Sequence, residues 1–242
     1  PARRPDSDAV LAAAEEHLRR ELGFTLELRR SAIPGAGDGV FLRGAAEPGG
    51  VVGIFPGTFY RVLDVITIGP PFPDPNHCMM ARPDGTLLDS RDAPKLPFNP
   101  YALCHMLNHP PKGVEPNVVQ IPYEFPSGRW WWLGGLSRPR FPKHLQRYIP
   151  NAFIADTFYH RLFKPLPGTT AFVALRPLRD GEELLVDYRF NPRANNPEWY
   201  HPVDLAQNEA MYEDIAPGVD YSDLEALFGV KRRRRRRRGM TG

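Results

Sequence analysis

The sequence predicts a mainly β protein with small helices, on three observations. Pro (28) and Gly (21) make up about a fifth of the 242 residues, too dense for a helical bundle, because proline removes a backbone donor and clashes with the preceding turn. The apolar segments are short and punctuated by glycine- and proline-rich runs such as SAIPGAGDG and EPGG, which is how strands joined by turns are written. Apolar spacing of helical period is confined to a few short stretches. At 27.4 kDa, with 42% apolar and 24% charged residues, the chain has the size of one large domain, or of one domain with appendages, and an ordinary soluble composition.

The elements follow in order. Residues 6–23 read as a helix: Ser7 or Asp8 caps it, Val10, Ala14, Leu18 and Leu22 share a face, and Gly23 stops it. Strands are expected at 25–28, 39–42 and 51–55, a proline-rich loop at 69–76, a strand at 86–90 and a short helix at 101–107. Residues 110–168 read as irregular, with an exposed turn or hairpin in PSGRWWWLGG. Residues 169–188 place Asp180-Gly181 between two apolar runs, the signal for a β-hairpin. A helix is expected at 203–214. Ser222 with Glu225 forms a capping box for a further short helix carrying Leu224, Leu227 and Phe228.

Charge and cysteine usage narrow the function classes. Cys78 and Cys104 cannot build a disulfide framework or a four-thiolate zinc site, so the sequence points to a reducing compartment, nuclear or cytoplasmic. No apolar run reaches the length of a membrane span, and the N-terminus has no signal-peptide pattern. The net charge of +3 hides an asymmetry. Lys231 and Arg232 through Arg238 are eight consecutive cations; removing them from the 31 basic residues leaves 23 against 28 acidic ones. Such a run repels itself and reads as a disordered tail, a nuclear-localisation or nucleic-acid patch, or simply a solvated end.

Three short motifs carry chemistry. Gly37-Asp38-Gly39 lets a backbone approach a ligand closely, but it lacks the third glycine of a dinucleotide fingerprint and the Lys-Ser/Thr of a phosphate loop, and it also reads as a tight turn. Asn108-His109 sets a carboxamide beside an imidazole, donors and acceptors for a polar ligand, or else ends a helix. A second Asn-His pair, Asn76-His77, precedes Cys78 in the proline-rich loop and has no apolar element before it. GEELLVDY (181–188) leads a turn into a strand that ends in Asp187-Tyr188; the tyrosine either packs or points its hydroxyl into a cleft.

In this order the three motifs resemble the SET-domain family of protein methyltransferases, whose pattern is a Gly-x-Gly, a central Asn-His and a late Gly-Glu-Glu-Leu-x-x-Asp-Tyr. FPGTFY (55–60), LLDS (87–90) and Pro116-Asn117 add supporting matches. The resemblance covers about residues 25–191, and NHPPKG is similar to the group called SET domain-containing protein nine. The resemblance implies several small sheets with a threaded C-terminal segment, and S-adenosylmethionine as cofactor. It places Gly37, Asp38, Gly39, Asn108 and His109 at the cofactor and Tyr188 at the point of methyl transfer. It implies a protein substrate, with lysine the commoner target and histidine an alternative. Phe190, Trp199 and Tyr200, with Tyr60, are the aromatic candidates for the substrate channel.

The departures from the family pattern are informative. Asn108-His109 is followed by Pro110-Pro111 rather than Ser-Cys, and no cysteine triplet follows Tyr188, so no structural zinc is expected. The segment from Asn117 to Gly181 is long and holds Trp130, Trp131 and Trp132, which form either a partner-facing surface or a loop folded onto the body. The expected organisation is an N-terminal helix (1–24), a SET-like domain (25–191) with a long insertion (118–168), a packed extension (192–230) and a basic tail (231–242). A catalytically silent binding module whose arginine tail docks nucleic acid is the alternative, because proline after the Asn-His pair removes a backbone donor.

Overall fold

Two strands with matching buried faces open the fold. In β1 (Phe24–Arg30), Phe24 and Leu26 are buried; in β2 (Asp38–Gly44), Val40 and Leu42 are fully so. The strands pair antiparallel from Phe24 opposite Gly44 to Arg30 opposite Asp38. Gly44 has φ 111° and lies so close to the Gly23 carbonyl that no side chain would fit. This computed structural model describes residues 12, 16–17, 19–61, 64, 78–93, 99–126, 140–154 and 166–213. The proline-rich loop, the Asn76-His77 pair, the three tryptophans, the capping box at Ser222 and the arginine tail all lie outside them.

Two further sheets complete the β structure. One holds β3 (Val51–Ile54), β9 (Gly168–Ala174) and β7 (Val118–Glu124), all antiparallel with β9 central. The other runs in the order β5 (Met79–Ala81), β6 (Leu87–Asp89), β4 (Gly57–Tyr60) and β8 (Asn151–Phe153), with β4 and β8 parallel. Val40, Leu42, Val52, Phe59, Leu88, Phe172 and Leu184 come from all three sheets and the C-terminal motif, and they merge into one buried cluster. Among the described residues the helices are short: two 3-10 turns, Cys104–Met106 and Lys143–Tyr148, and the helix Leu205–Met211, which Asp204 caps through the Gln207 amide. Near the N-terminus, residues 12, 16–17 and 19–22 are helical, and the stop at Gly23 (φ 82°) is as expected. The mainly β expectation holds.

Three local expectations are corrected. Residues 169–188 are not a hairpin. The tight turn exists, with the Glu182 amide donating to Arg179 O and Gly181 at φ 77°. However, Asp180 Oδ1 accepts from Gly44 N at 2.9 Å, which carries the outgoing chain onto the free edge of β2. There Gly181 N donates to Leu42 O and Leu184 N to Val40 O. The helix at 101–107 shrinks to one 3-10 turn, because Leu107 is extended (ψ 136°) and Asn108 bridges Leu185 as a strand residue does. The irregular stretch 110–168 contains β7, a seven-residue partner of β9, and β8.

One peptide bond shows how the C-terminal motif is threaded. In a trans peptide the carbonyl and the N–H point opposite ways. Leu185 O accepts from Asn117 N (3.1 Å) and Val118 N (3.2 Å), while Val186 N donates to Asn108 O at 3.0 Å. The segment therefore runs between the two ends of the 108–118 loop. Asn117, 2% exposed, locks it with three side-chain bonds: Nδ2 donates to Glu183 O (2.8 Å) and Glu182 Oε1 (3.0 Å), and Oδ1 accepts from Leu185 N (2.7 Å). Removing the carboxamide orphans a backbone N–H and frees the segment. Asn117→Ala is expected to lower the unfolding free energy by about 2–4 kcal/mol, read by urea denaturation; a loss below about 0.5 kcal/mol would show that the lock contributes nothing.

Candidate active site

The glycine turn reaches the C-terminal motif through a closed ring of polar bonds. Ser31 N donates to Gly37 O (3.0 Å), and the Ser31 hydroxyl donates to Glu183 Oε2 (3.0 Å). Glu183 Oε1 accepts from Asn108 Nδ2 at 3.0 Å, and the same amide nitrogen donates to Asp38 O at 3.2 Å. The two glycines have different tasks. Gly37 adopts φ 79° with open space where a Cβ would point, so its backbone conformation is what needs glycine. A Cβ on Gly39 would overlap the Glu183 carboxylate and the Asn108 amide. The close approach that glycine permits here is to these two side chains.

An aromatic cluster lies on the other side of the Asn108-His109 step. The His109 ring centroid is 5.4 Å from Tyr188, 4.7 Å from Tyr200 and 6.4 Å from Trp199. Phe190 is 5.3 Å from Tyr188 and 4.8 Å from Tyr200. Spacings of this order are those of interacting rings. Trp199 is half exposed, whereas Tyr200 is buried, its hydroxyl oxygen accepting from Phe190 N (3.0 Å) and Asn208 Nδ2 (3.1 Å). Arg189, with φ 51°, makes the reversal that folds Phe190 back. The Asp187 carboxylate accepts its N–H at 3.0 Å, and its carbonyl accepts from the Tyr212 hydroxyl at 2.6 Å.

The expected residues therefore gather in two groups joined by one peptide bond. Gly37, Asp38, Gly39 and Asn108 form the polar group; His109, Tyr188, Phe190, Trp199 and Tyr200 form the aromatic one. Tyr60 is buried on β4 beside Asp89 and makes no ring contact with the aromatic cluster. Glu183 and Ser31 were not singled out from the sequence. Glu183 was visible within the Gly-Glu-Glu, but its pairing across 75 positions with Asn108 was not. Ser31, an ordinary residue before a turn, gave no signal.

Both nitrogens of His109 are engaged. Nε2 lies 2.8 Å from His201 O and so carries the proton, and Nδ1 accepts from Tyr188 N at 3.3 Å. The ring therefore supports the site and has no nitrogen left for a ligand. Burial pushes its pKa below the usual histidine value, against the pull of the His201 carbonyl and of Asp187. Burial, reinforced by the neighbouring Cys78, pushes the Tyr188 phenol up to about 12. Its hydroxyl donates to Leu107 O at 2.7 Å. At neutral pH Tyr188 is thus a phenol with its one proton engaged and its lone pairs free to accept.

The depressed His109 value gives a pH dependence of definite sign. The unfolded state takes up the proton first, near pH 6.5, so the stability from neutral His109 is present above that pH and is lost as pH falls through the lower folded value. Urea midpoints measured between pH 8 and pH 5 should fall more steeply for the wild type than for His109→Gln. Parallel profiles would exclude the histidine as their source.

No family model matches the chain. Two curated relatives do, both named SET domain-containing protein 9. That of Pongo abelii is 27% identical over 205 residues, covering 72% of this chain and 67% of the relative. That of Homo sapiens is 28% identical over 205 residues, covering 72% of this chain and 61% of its own length. The chain thus spans roughly three fifths to two thirds of these proteins. Among solved structures, the methyltransferase domain of human PR domain-containing protein 2 overlaps with a TM-score of 0.36 at 19% identity, over 82% of this chain and 95% of that one. The ctPRC2 assembly, described as bound to S-adenosylmethionine, overlaps with a TM-score of 0.37 at 14% identity, over 71% of this chain and 16% of that one. With its three motifs in the family's order and its likeness to these two sequences, the chain is similar to SET-domain proteins.

Proposed function

We propose that the chain is an S-adenosylmethionine-dependent protein N-methyltransferase that acts on a lysine side chain. The observation that carries this is the convergence of the polar ring at Gly37–Asn108 with the aromatic cluster at Tyr188. The polar ring fits the cofactor's charged end. Gly37 leaves open space, and both donors of the Asn108 amide are engaged, leaving its oxygen as an acceptor for an ammonium group. Gly37, Asp38, Gly39 and Asn108, with the main chain of His109, would hold the cofactor. When bound, S-adenosylmethionine supplies a methyl carbon on a sulfonium, open to in-line displacement by an amine.

The residues then divide the remaining work. A lysine at its reference pKa of about 10.4 is almost wholly protonated at pH 7, a cost of roughly 4–5 kcal/mol against a free lone pair. A dry aromatic surround disfavours the ammonium and lowers that pKa. Tyr188, held as a phenol, cannot serve as the base; its oxygen accepts from the amine and fixes the direction of its lone pair. Such alignment can contribute about 7–11 kcal/mol. Phe190 and Trp199 present ring faces to the lysine stem and to its methylated ammonium, which suits cation–π contact. In this reading the extension after Tyr188 forms the wall of the channel. The basic tail, Arg232 through Arg238, is proposed to dock nucleic acid and to direct the protein to the nucleus.

Calorimetric titration with S-adenosylmethionine tests the reading, and wild-type protein should release heat with one-site stoichiometry. No heat and no thermal shift would favour the silent binding module. Tyr188→Phe should bind the cofactor within about threefold of wild type and transfer methyl to a lysine peptide at least tenfold more slowly, since one oriented hydrogen bond is lost. Equal transfer rates would remove Tyr188 from the reacting centre.

A further inference from the structure

The carboxylate of Glu183 has no role in the methyl-transfer reading, yet it is the hub of the polar ring. Its two oxygens take one bond each, from the Ser31 hydroxyl and from Asn108 Nδ2, both at 3.0 Å. The Ser31 oxygen in turn accepts from Ile33 N at 3.1 Å, which aims the hydroxyl proton at the carboxylate. The other acceptor on the Asn108 amide is a carbonyl, Asp38 O. Both partners are pure acceptors, so only the NH2 end of the carboxamide can face them. The Asn108 oxygen must then point away from the ring. Gly39 is what allows this, since any Cβ there would drive the carboxylate and the amide apart.

We infer that Glu183, braced by Ser31, is a positioning residue that fixes the Asn108 carboxamide with its oxygen presented to the primary ammonium of the ligand. The site is thereby selective for an amine-bearing ligand over its deaminated counterpart. Without Glu183 the carboxamide loses the stronger of its two acceptors. It can then turn its NH2 outward, presenting a donor where the ammonium needs an acceptor. A hydrogen bond to a charged group outweighs a neutral one, so the Glu183 bond decides the orientation. The inference rests on the S-adenosylmethionine reading and adds to it a residue outside that reading's set.

The test uses S-adenosylhomocysteine and its 2-oxo analogue, in which a ketone replaces the amine, titrated against the full chain. Wild type should prefer the amine-bearing ligand by at least about tenfold, the scale of one charge-assisted hydrogen bond. Glu183→Ala should bind the 2-oxo analogue as wild type does, and its preference for the amine should fall below about threefold. Glu183→Gln keeps an acceptor for Asn108 and should retain most of the preference, while Ser31→Ala should reduce it in part. An equal loss of both ligands in Glu183→Ala would mean that the residue only supports the fold, and would overturn the inference. An unchanged preference in both Glu183→Ala and Ser31→Ala would overturn it as well. If wild type binds neither compound, the cofactor reading itself fails and this assignment goes with it, a result distinct from the selective losses above.

Discussion

The site depends on a single peptide group, Leu185–Val186, gripped from both sides by one loop. Its carbonyl is held by Asn117 and Val118, and its N–H by Asn108. A trans peptide with both groups satisfied cannot rotate or slide without losing bonds on both sides. Two residues before it Glu183 is presented to the glycine turn, and two residues after it Tyr188 is presented to the aromatic cluster. The spacing between the polar and aromatic groups is therefore set by strand geometry, about 3.3 Å per residue, and not by loop flexibility. Asn117 is the device that makes the grip stable: it is buried and all of its donors and its acceptor are used.

A second consequence follows from Asn108 and His109 being neighbours in sequence. Adjacent residues on an extended chain point to opposite sides, and Asn108 is extended because it bridges Leu185. The carboxamide accordingly meets the glycine turn while the imidazole meets Tyr188 and Tyr200. Had the expected helix at 101–107 continued through Asn108, the two side chains would have diverged by about 100° about a helix axis. The 3-10 turn that stops at Met106 is thus part of how the site is built.

The sequence made the ends of this argument legible and hid the middle. The strands β1, β2, β3 and β6 could be read from apolar runs bounded by Gly and Pro, because those signals are local. The tight turn at Asp180-Gly181 is legible too, but the flanking runs do not pair with each other as that signal implies. A turn fixes the direction of the chain, whereas the partner is chosen by whichever edge is free. Here that edge belongs to β2, and the Asp180 carboxylate on Gly44 N selects it. The strand β7 went unread because PNVVQIPYE carries two prolines. The second, Pro122, lies opposite Thr170 of β9 and, among the described residues, has no strand on its other side, where a missing N–H is tolerated. For the site, motif order named Asn108, His109 and Tyr188 but not their division of labour. That the imidazole is fully engaged, and that Glu183 is the hub, follow from contacts between residues 70 or more positions apart, which no local pattern encodes.

The separation of the two groups also has an electrostatic reason. A ligand ammonium wants a carboxylate nearby, whereas an amine about to act as nucleophile must not have one, because an opposite charge stabilises the protonated form. The chain carries Glu182, Glu183 and Asp187 within six residues, so an amine reacting at Tyr188, as proposed, would be at risk of such a neighbour. Each of the three is directed elsewhere. Glu182 pairs with Arg176 at 2.5 Å, and this pairing, with bonds from Arg179 N and Asn117, holds its carboxyl below the usual range although burial pulls the other way. Glu183 is turned into the polar ring. Asp187 accepts from Arg189 N and lies 3.7 Å from His109 Nδ1. Among the described residues the Tyr188 hydroxyl bonds the Leu107 carbonyl, and the rings of His109, Phe190 and Trp199 lie beside its own; on the proposed reading a lysine amine placed there would lose its proton more readily than in water. On the proposed reading, an acidic substitution at Phe190 would reverse that condition, and a pH profile of methyl transfer would show the onset moved to higher pH.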